Sequence, residues 1–172
     1  EKTVASIMGK ESALVFNTGY QANLGVVSAL INKGDVVFSD KLNHASIIDG
    51  MQLSKGEFFR YKHLDYDNLE KLLQTKRGDY KRALIISESV FSMDGDVADI
   101  DRLIELKNKY NCLLMIDEAH AFCAYGNSLA GISRNKDVDI ITATFGKAVG
   151  SFGAFCVSNK NIIKYLINKA RS

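Results

Sequence analysis

The chain has 172 residues, 47% of them hydrophobic and 24% charged, with a formal net charge of +2. That is enough for one sizeable core; lysines and acids are interleaved without the basic stripe that nucleic-acid binding needs, and no apolar run reaches the length of a membrane-spanning helix. Cys112, Cys123 and Cys156 are odd in number, widely spaced and form no C-x-x-C pair, so a reduced, cytoplasmic setting is expected.

The chain opens on Lys2-Thr-Val-Ala-Ser-Ile-Met8, the tail of an amphipathic helix stopped by Gly9. A strand over Ala13–Phe16 leads through Thr18-Gly19-Tyr20 into a helix over Tyr20–Asn32. The pattern then gives strand Val36–Ser39, helix Ala45–Lys55, strand Glu57–Tyr61, helix Asp67–Thr75 and strand Ala83–Ser87. Helix Ile100–Tyr110, strands Leu113–Asp117, Val138–Phe145 and Gly153–Ser158, and helix Asn161–Ala170 complete it. Asp65, Asp99 and Asn159 stand where N-caps belong. Repeated strand–helix–strand units predict a three-layer α/β domain with a seven-stranded, mostly parallel sheet. Between Phe145 and Gly153 there is no room for a crossover helix, so the last strand is expected to run antiparallel. Both ends read as cut, so residues 1–172 are expected to be one domain, a fragment of a larger protein.

In open sheets of this kind ligands sit beyond the carboxyl ends of the strands. The residues expected there are Thr18 to Tyr20, Asn43-His44, Glu88 to Ser92, Asp117 to His120 and Thr144 to Lys147. Asp117 closes the apolar run Cys112-Leu-Leu-Met-Ile and needs a partner for its carboxylate. Lys147 follows the next strand on a glycine-flanked tip. An acid and an amine at one sheet edge fit pyridoxal 5'-phosphate: the amine forms a Schiff base with the aldehyde, and the acid pairs with the pyridinium nitrogen. His44 either caps a helix or stacks on the flat face of such a ring. Thr18-Gly19-Tyr20 suits a phosphate at a helix N-terminus and equally a plain tight turn. His120 can bond the ring oxygen, or share a zinc ion with Asp117, although no further close-spaced ligand supports a metal. Thr144 offers a hydroxyl to a phosphate; Ser92 is a site residue or a turn former, and His63 is read as structural.

With those residues assembled, the chain resembles the α-oxoamine synthases, fold-type-I enzymes that use pyridoxal phosphate. The resemblance runs along essentially the whole sequence. It rests on Asn17-Thr-Gly-Tyr-Gln-Ala-Asn23, Asn43-His-Ala-Ser46, Ser89-Val-Phe-Ser-Met-Asp-Gly95, Asp117-Glu-Ala-His120 and Thr144-Phe-Gly-Lys147. It implies that Lys147 is the Schiff-base lysine, that His44 stacks on the ring and that Asp117 pairs with the ring nitrogen. His120 and Ser92 would bond the ring oxygen, and Gly19, Tyr20 and Thr144 would complete the cofactor shell. The implied reaction joins an amino acid to an acyl thioester, carried by coenzyme A or a carrier protein, with loss of carbon dioxide. The implied assembly is a homodimer with its sites at the subunit boundary, without nucleic-acid or membrane partners. One stretch departs from the family pattern. After His120 the family shows glycines at fixed intervals, and Cys123 and Leu129 occupy two of those places while Gly126 and Gly131 remain. If those glycines serve positive φ, this loop is expected to bend differently.

Overall fold

The structure, a computed structural model, describes residues 1–172. Seven strands form one sheet: β1 (Ser12–Phe16), β2 (Val36–Asp40), β3 (Glu57–Tyr61), β4 (Ala83–Glu88), β5 (Leu113–Asp117), β6 (Ile140–Thr144) and β7 (Ala154–Ser158). Their order is β1-β7-β6-β5-β4-β2-β3, with β7 antiparallel to both neighbours and every other pairing parallel. The antiparallel last strand is therefore as expected, and for the expected reason. A tight turn joins β6 to β7, closed by Phe145 N–H donating to the Gly153 carbonyl at 2.9 Å and Ser151 N–H to the Phe145 carbonyl at 2.9 Å.

Six helices cover the sheet: α1 (Lys2–Met8), α2 (Gly19–Leu30), α3 (Ala45–Leu53), α4 (Tyr66–Lys76), α5 (Ile100–Lys109) and α6 (Lys160–Lys169). None is long and apolar enough to cross a membrane. Most begin or end where the sequence supplies a cap. Asp65, Asp99 and Asn159 accept from the amides of Asn68, Arg102 and Ile162, respectively. Gly9 ends α1 in the left-handed conformation. The expected boundaries err mainly by overshooting. α2 stops at Leu30 because Ile31 has turned extended, and β6 begins at Ile140 rather than Val138 because its register with β5 starts at the Met115–Ile140 pair.

Strand side chains alternate between two cores. Phe38, Ile85, Leu114, Ile116 and Phe155 pack with Leu69, Leu73, Leu103 and Leu106 under α4 and α5. Val37, Leu84, Ile86, Met115 and Ile140 pack with Val26, Val27, Ile47 and Met51 under α2 and α3. The same period of two sets which face each strand-end residue takes. Glu88, Asp117, Thr142 and Thr144 share the face of Ile86, Met115 and Ile140, so they meet the beginnings of α2 and α3. Asp40, one step out of phase with Val37, lies on the opposite face.

Candidate active site

A cleft of about 220 Å³ opens at the carboxyl ends of the parallel strands. Gly19, Tyr20 and Asn23 of α2, His44 and Ser46 at the start of α3, Glu88, Asp117 and His120, and Thr142, Thr144 and Lys147 line it. Of the residues expected from sequence, the structure brings together Gly19, Tyr20, His44, Asp117, His120, Thr144 and Lys147. It does not bring in Ser92, which is exposed on the turn after β4 and absent from the lining. That turn is pinned elsewhere. Phe91 N–H donates to the Asp96 carbonyl at 2.9 Å, and His63 bridges Asp40 (2.9 Å) and Asp96 (3.1 Å) on the other face of the sheet. Burial pulls the His63 pKa down, but the two carboxylates outweigh it and raise it.

Asp117 is buried and accepts the Asn23 Nδ2 donor at 2.7 Å and the Ala119 N–H at 2.9 Å. Each oxygen keeps a further lone pair for a ligand. Across the cleft, Lys147 projects from the β6–β7 turn and its Nζ stands 2.6 Å from His120 Nε2. Desolvation pulls the Lys147 amine below the ordinary lysine range, against the opposing pull of Asp117 and Glu88. Desolvation and the Lys147 charge likewise lower His120, so its imidazole is suited to accept from the amine. Glu88, paired with Asp117 in the β4–β5 register and 3% exposed, accepts the His44 N–H at 2.6 Å. Burial first, and then the Asp117 charge, push its carboxyl up to about 8.

The Thr144 hydroxyl, in the cleft lining as expected, donates to the Gly153 carbonyl at 3.1 Å and accepts from Gly146 N–H at 3.1 Å, holding the turn that carries Lys147. Opposite it, the amides of Gly19 and Tyr20 open α2 and have no partner within the helix. A Cβ on Gly19 would stand 3.4 Å from that of Thr144, so a larger residue there would fill the gap between helix end and turn. The Tyr20 phenol donates to Asp49, and its ring meets the His44 ring edge-on, 6.4 Å between centroids.

Sequence reasoning left out Asn23, Ser46 and Thr142. The available signal was Asn23 itself, a polar residue on the α2 stripe otherwise formed by Ala22, Val26, Val27 and Leu30, where an amide needs partners. The loop after His120 also differs from expectation. It does not bend away from a glycine-type path. Cys123 (φ 63°), Ser128 (φ 58°) and Leu129 (φ 54°) themselves adopt left-handed conformations. Glu118 braces the loop, accepting from Ser89 Oγ and from the amides of Ile132 and Ser133 at 2.8, 3.1 and 2.6 Å. Gly131 (φ 86°) has no alternative, since a Cβ would come within 2.7 Å of the Glu118 carboxylate.

The sequence model of the aminotransferase class I and II family matches residues 1–172. The chain belongs to this family. Within it, the chain is 46% identical over 176 residues to 8-amino-7-oxononanoate synthase of Chlorobaculum parvum, covering 100% of this chain and 45% of that protein. Among solved structures, a variant of serine palmitoyltransferase from S. paucimobilis with a bound PLP–myriocin aldimine superposes with a TM-score of 0.94 at 32% identity, over 99% of this chain and 45% of that one. The 8-amino-7-oxononanoate synthase of Francisella tularensis superposes with a TM-score of 0.83 at 33% identity, over 98% of this chain and 49% of its own. This member of the aminotransferase class I and II family thus spans a little under half the length of each relative.

Proposed function

We propose that this chain forms the cofactor-binding domain of a pyridoxal-phosphate-dependent α-oxoamine synthase that condenses L-alanine with a pimeloyl thioester to give 8-amino-7-oxononanoate, with loss of carbon dioxide. The observation that carries the reading is the convergence of Lys147, His120 and Asp117 on one cleft. The residues fit the cofactor. Asp117 has acceptor capacity left for a ring N–H, the exposed His44 imidazole lines one wall, and the free amides of Gly19 and Tyr20 suit a phosphate. When bound, the cofactor supplies an electron-poor ring that stabilises a carbanion beside the amino nitrogen. Lys147, its pKa lowered, keeps more of its amine neutral, as attack on an aldehyde and removal of an α-proton both require. His120, held against that amine, is placed to take or return a proton at Nζ. Asp117 would hold the ring nitrogen, and His120 and Ser92 the ring oxygen, Ser92 only if its turn moves inward. A homodimer in a cytoplasmic setting completes the proposal; the thiols of Cys112, Cys123 and Cys156 are all free.

A sister synthase using serine or glycine is the second reading, favoured by the closer superposition on serine palmitoyltransferase. Alanine is favoured by the curated relative at 46% identity, an 8-amino-7-oxononanoate synthase; among the solved structures the two enzymes stand level, at 33% and 32%. A non-catalytic scaffold subunit of this fold has no use for an amine in Lys147's position. Assaying the protein with alanine, glycine and serine against pimeloyl and palmitoyl thioesters decides among them. The expected result is product from alanine and pimeloyl thioester at a kcat/KM at least about tenfold above serine with palmitoyl thioester, worth ~1.4 kcal/mol of transition-state preference. The reverse order would defeat the alanine assignment.

A further inference from the structure

Two buried side chains, Asn23 and Ser46, join the acid on one wall of the cleft to the imidazole on another. Thr142 Oγ1 donates to Asn23 Oδ1 at 2.8 Å. Asn23 Nδ2 gives its two protons to Asp117 Oδ2 at 2.7 Å and to Ser46 Oγ at 3.0 Å. Ser46 Oγ in turn lies 2.8 Å from His44 Nδ1. Asn23, Ser46, Asp117 and Thr142 are between 0% and 4% exposed. The direction of each bond follows from what each group can do. A carboxylate only accepts, so the Asn23 nitrogen must face Asp117 and its oxygen must face Thr142. The backbone N–H of Ser46 can only donate, and it donates to His44 Nδ1 at 3.2 Å. Nδ1 is therefore unprotonated, and the Ser46 hydroxyl, already accepting from Asn23, directs its own proton there too.

We infer that Asn23 is a positioning residue that orients the Asp117 carboxylate and, through Ser46, holds His44 as its Nε2–H tautomer. The two groups expected to flank a bound ring are then set by one buried amide, and neither can turn without breaking a bond of this network. This rests on the proposed function for its use, but not for its geometry. Asn23→Asp tests it, because the substituted side chain cannot donate to Ser46 and places a second carboxylate against Asp117. The Ser46 hydroxyl would then turn toward the new acceptor, and His44 Nδ1 would lose its strongest donor. Ser46→Ala cuts the same chain one bond further on while leaving the Asn23–Asp117 contact in place.

The measurement is nitrogen NMR of the ligand-free protein labelled at histidine. His44, His63 and His120 are the only three, and His63, on the opposite face of the sheet, reports that a variant has folded. Wild-type protein is expected to show His44 as a single Nε2–H tautomer, and both variants, in which only the longer 3.2 Å bond from the residue-46 backbone N–H still opposes it, to show a partial Nδ1–H population. Titration with pyridoxal phosphate is the second arm. Asn23→Asp is expected to weaken binding about tenfold or more, and Ser46→Ala less than about threefold. An Nδ1–H tautomer in wild-type protein, or an unchanged tautomer in folded Asn23→Asp, would overturn the inference. Should Asn23→Asp fail to fold, an unchanged tautomer in Ser46→Ala would overturn it in the same way. Failure of wild-type protein to bind pyridoxal phosphate would instead sink the proposed function and leave the tautomer result standing.

Discussion

At the scale of single residues, the cleft is an exercise in holding charges that cannot all be exposed at once. Glu88 and Asp117 end adjacent parallel strands in register, on the same face, and line the same cleft as Lys147. The Glu88 carboxyl is pushed up to about 8 by burial and by Asp117. The linkage has a definite sign. Between its ordinary value of 4.5 and about 8, folded Glu88 keeps a proton that the unfolded chain has lost. Its contribution to stability is therefore complete below the lower value and lost as pH rises through the upper one. Glu88→Gln, which can still accept from His44 N–H, is expected to remove that loss. In urea denaturation of the ligand-free protein, the variant's advantage over wild type should grow steadily from about pH 5 to about pH 8. A difference that stays constant across the range would show that Glu88 is not protonated in the fold.

At the scale of elements, what could be read from sequence and what could not divide along the range of the forces involved. Strand and helix assignments follow from local periodicity and caps, so Leu113–Asp117 and Glu57–Tyr61 match to the residue. The antiparallel β7 follows from loop length alone. Asp117, Lys147, His44 and His120 were legible because strand ends are where such sheets keep their chemistry. How Ser92 and the Thr144 hydroxyl are turned was not, because it depends on contacts with Asp96, His63 and Gly153 that local pattern does not reveal. The loop after His120 is a third case. Its substitutions were visible, but the tertiary hold of Glu118 on a path with glycine-like angles was not. Leu129 is 55% exposed, with few contacts to lose, and its left-handed backbone costs roughly 1 kcal/mol. Leu129→Gly is therefore expected to raise Tm by about 2–4 °C, while Leu129→Ala, which keeps the Cβ, gives no gain. A lower Tm for the glycine variant would mean that this backbone is unstrained.

At the scale of the molecule, the sheet order places the starts of α2 and α3 and the ends of β4, β5 and β6 around one cleft, with two cores beneath it to keep them there. The central claim is that this cleft holds an aldehyde cofactor on the Lys147 amine. Reducing the protein with borohydride after incubation with pyridoxal phosphate, then mapping the label by peptide mass spectrometry, tests it most directly. The account predicts one pyridoxyl group per chain, on Lys147, and none in Lys147→Ala. A label distributed over other lysines, or retained undiminished in that variant, would contradict it.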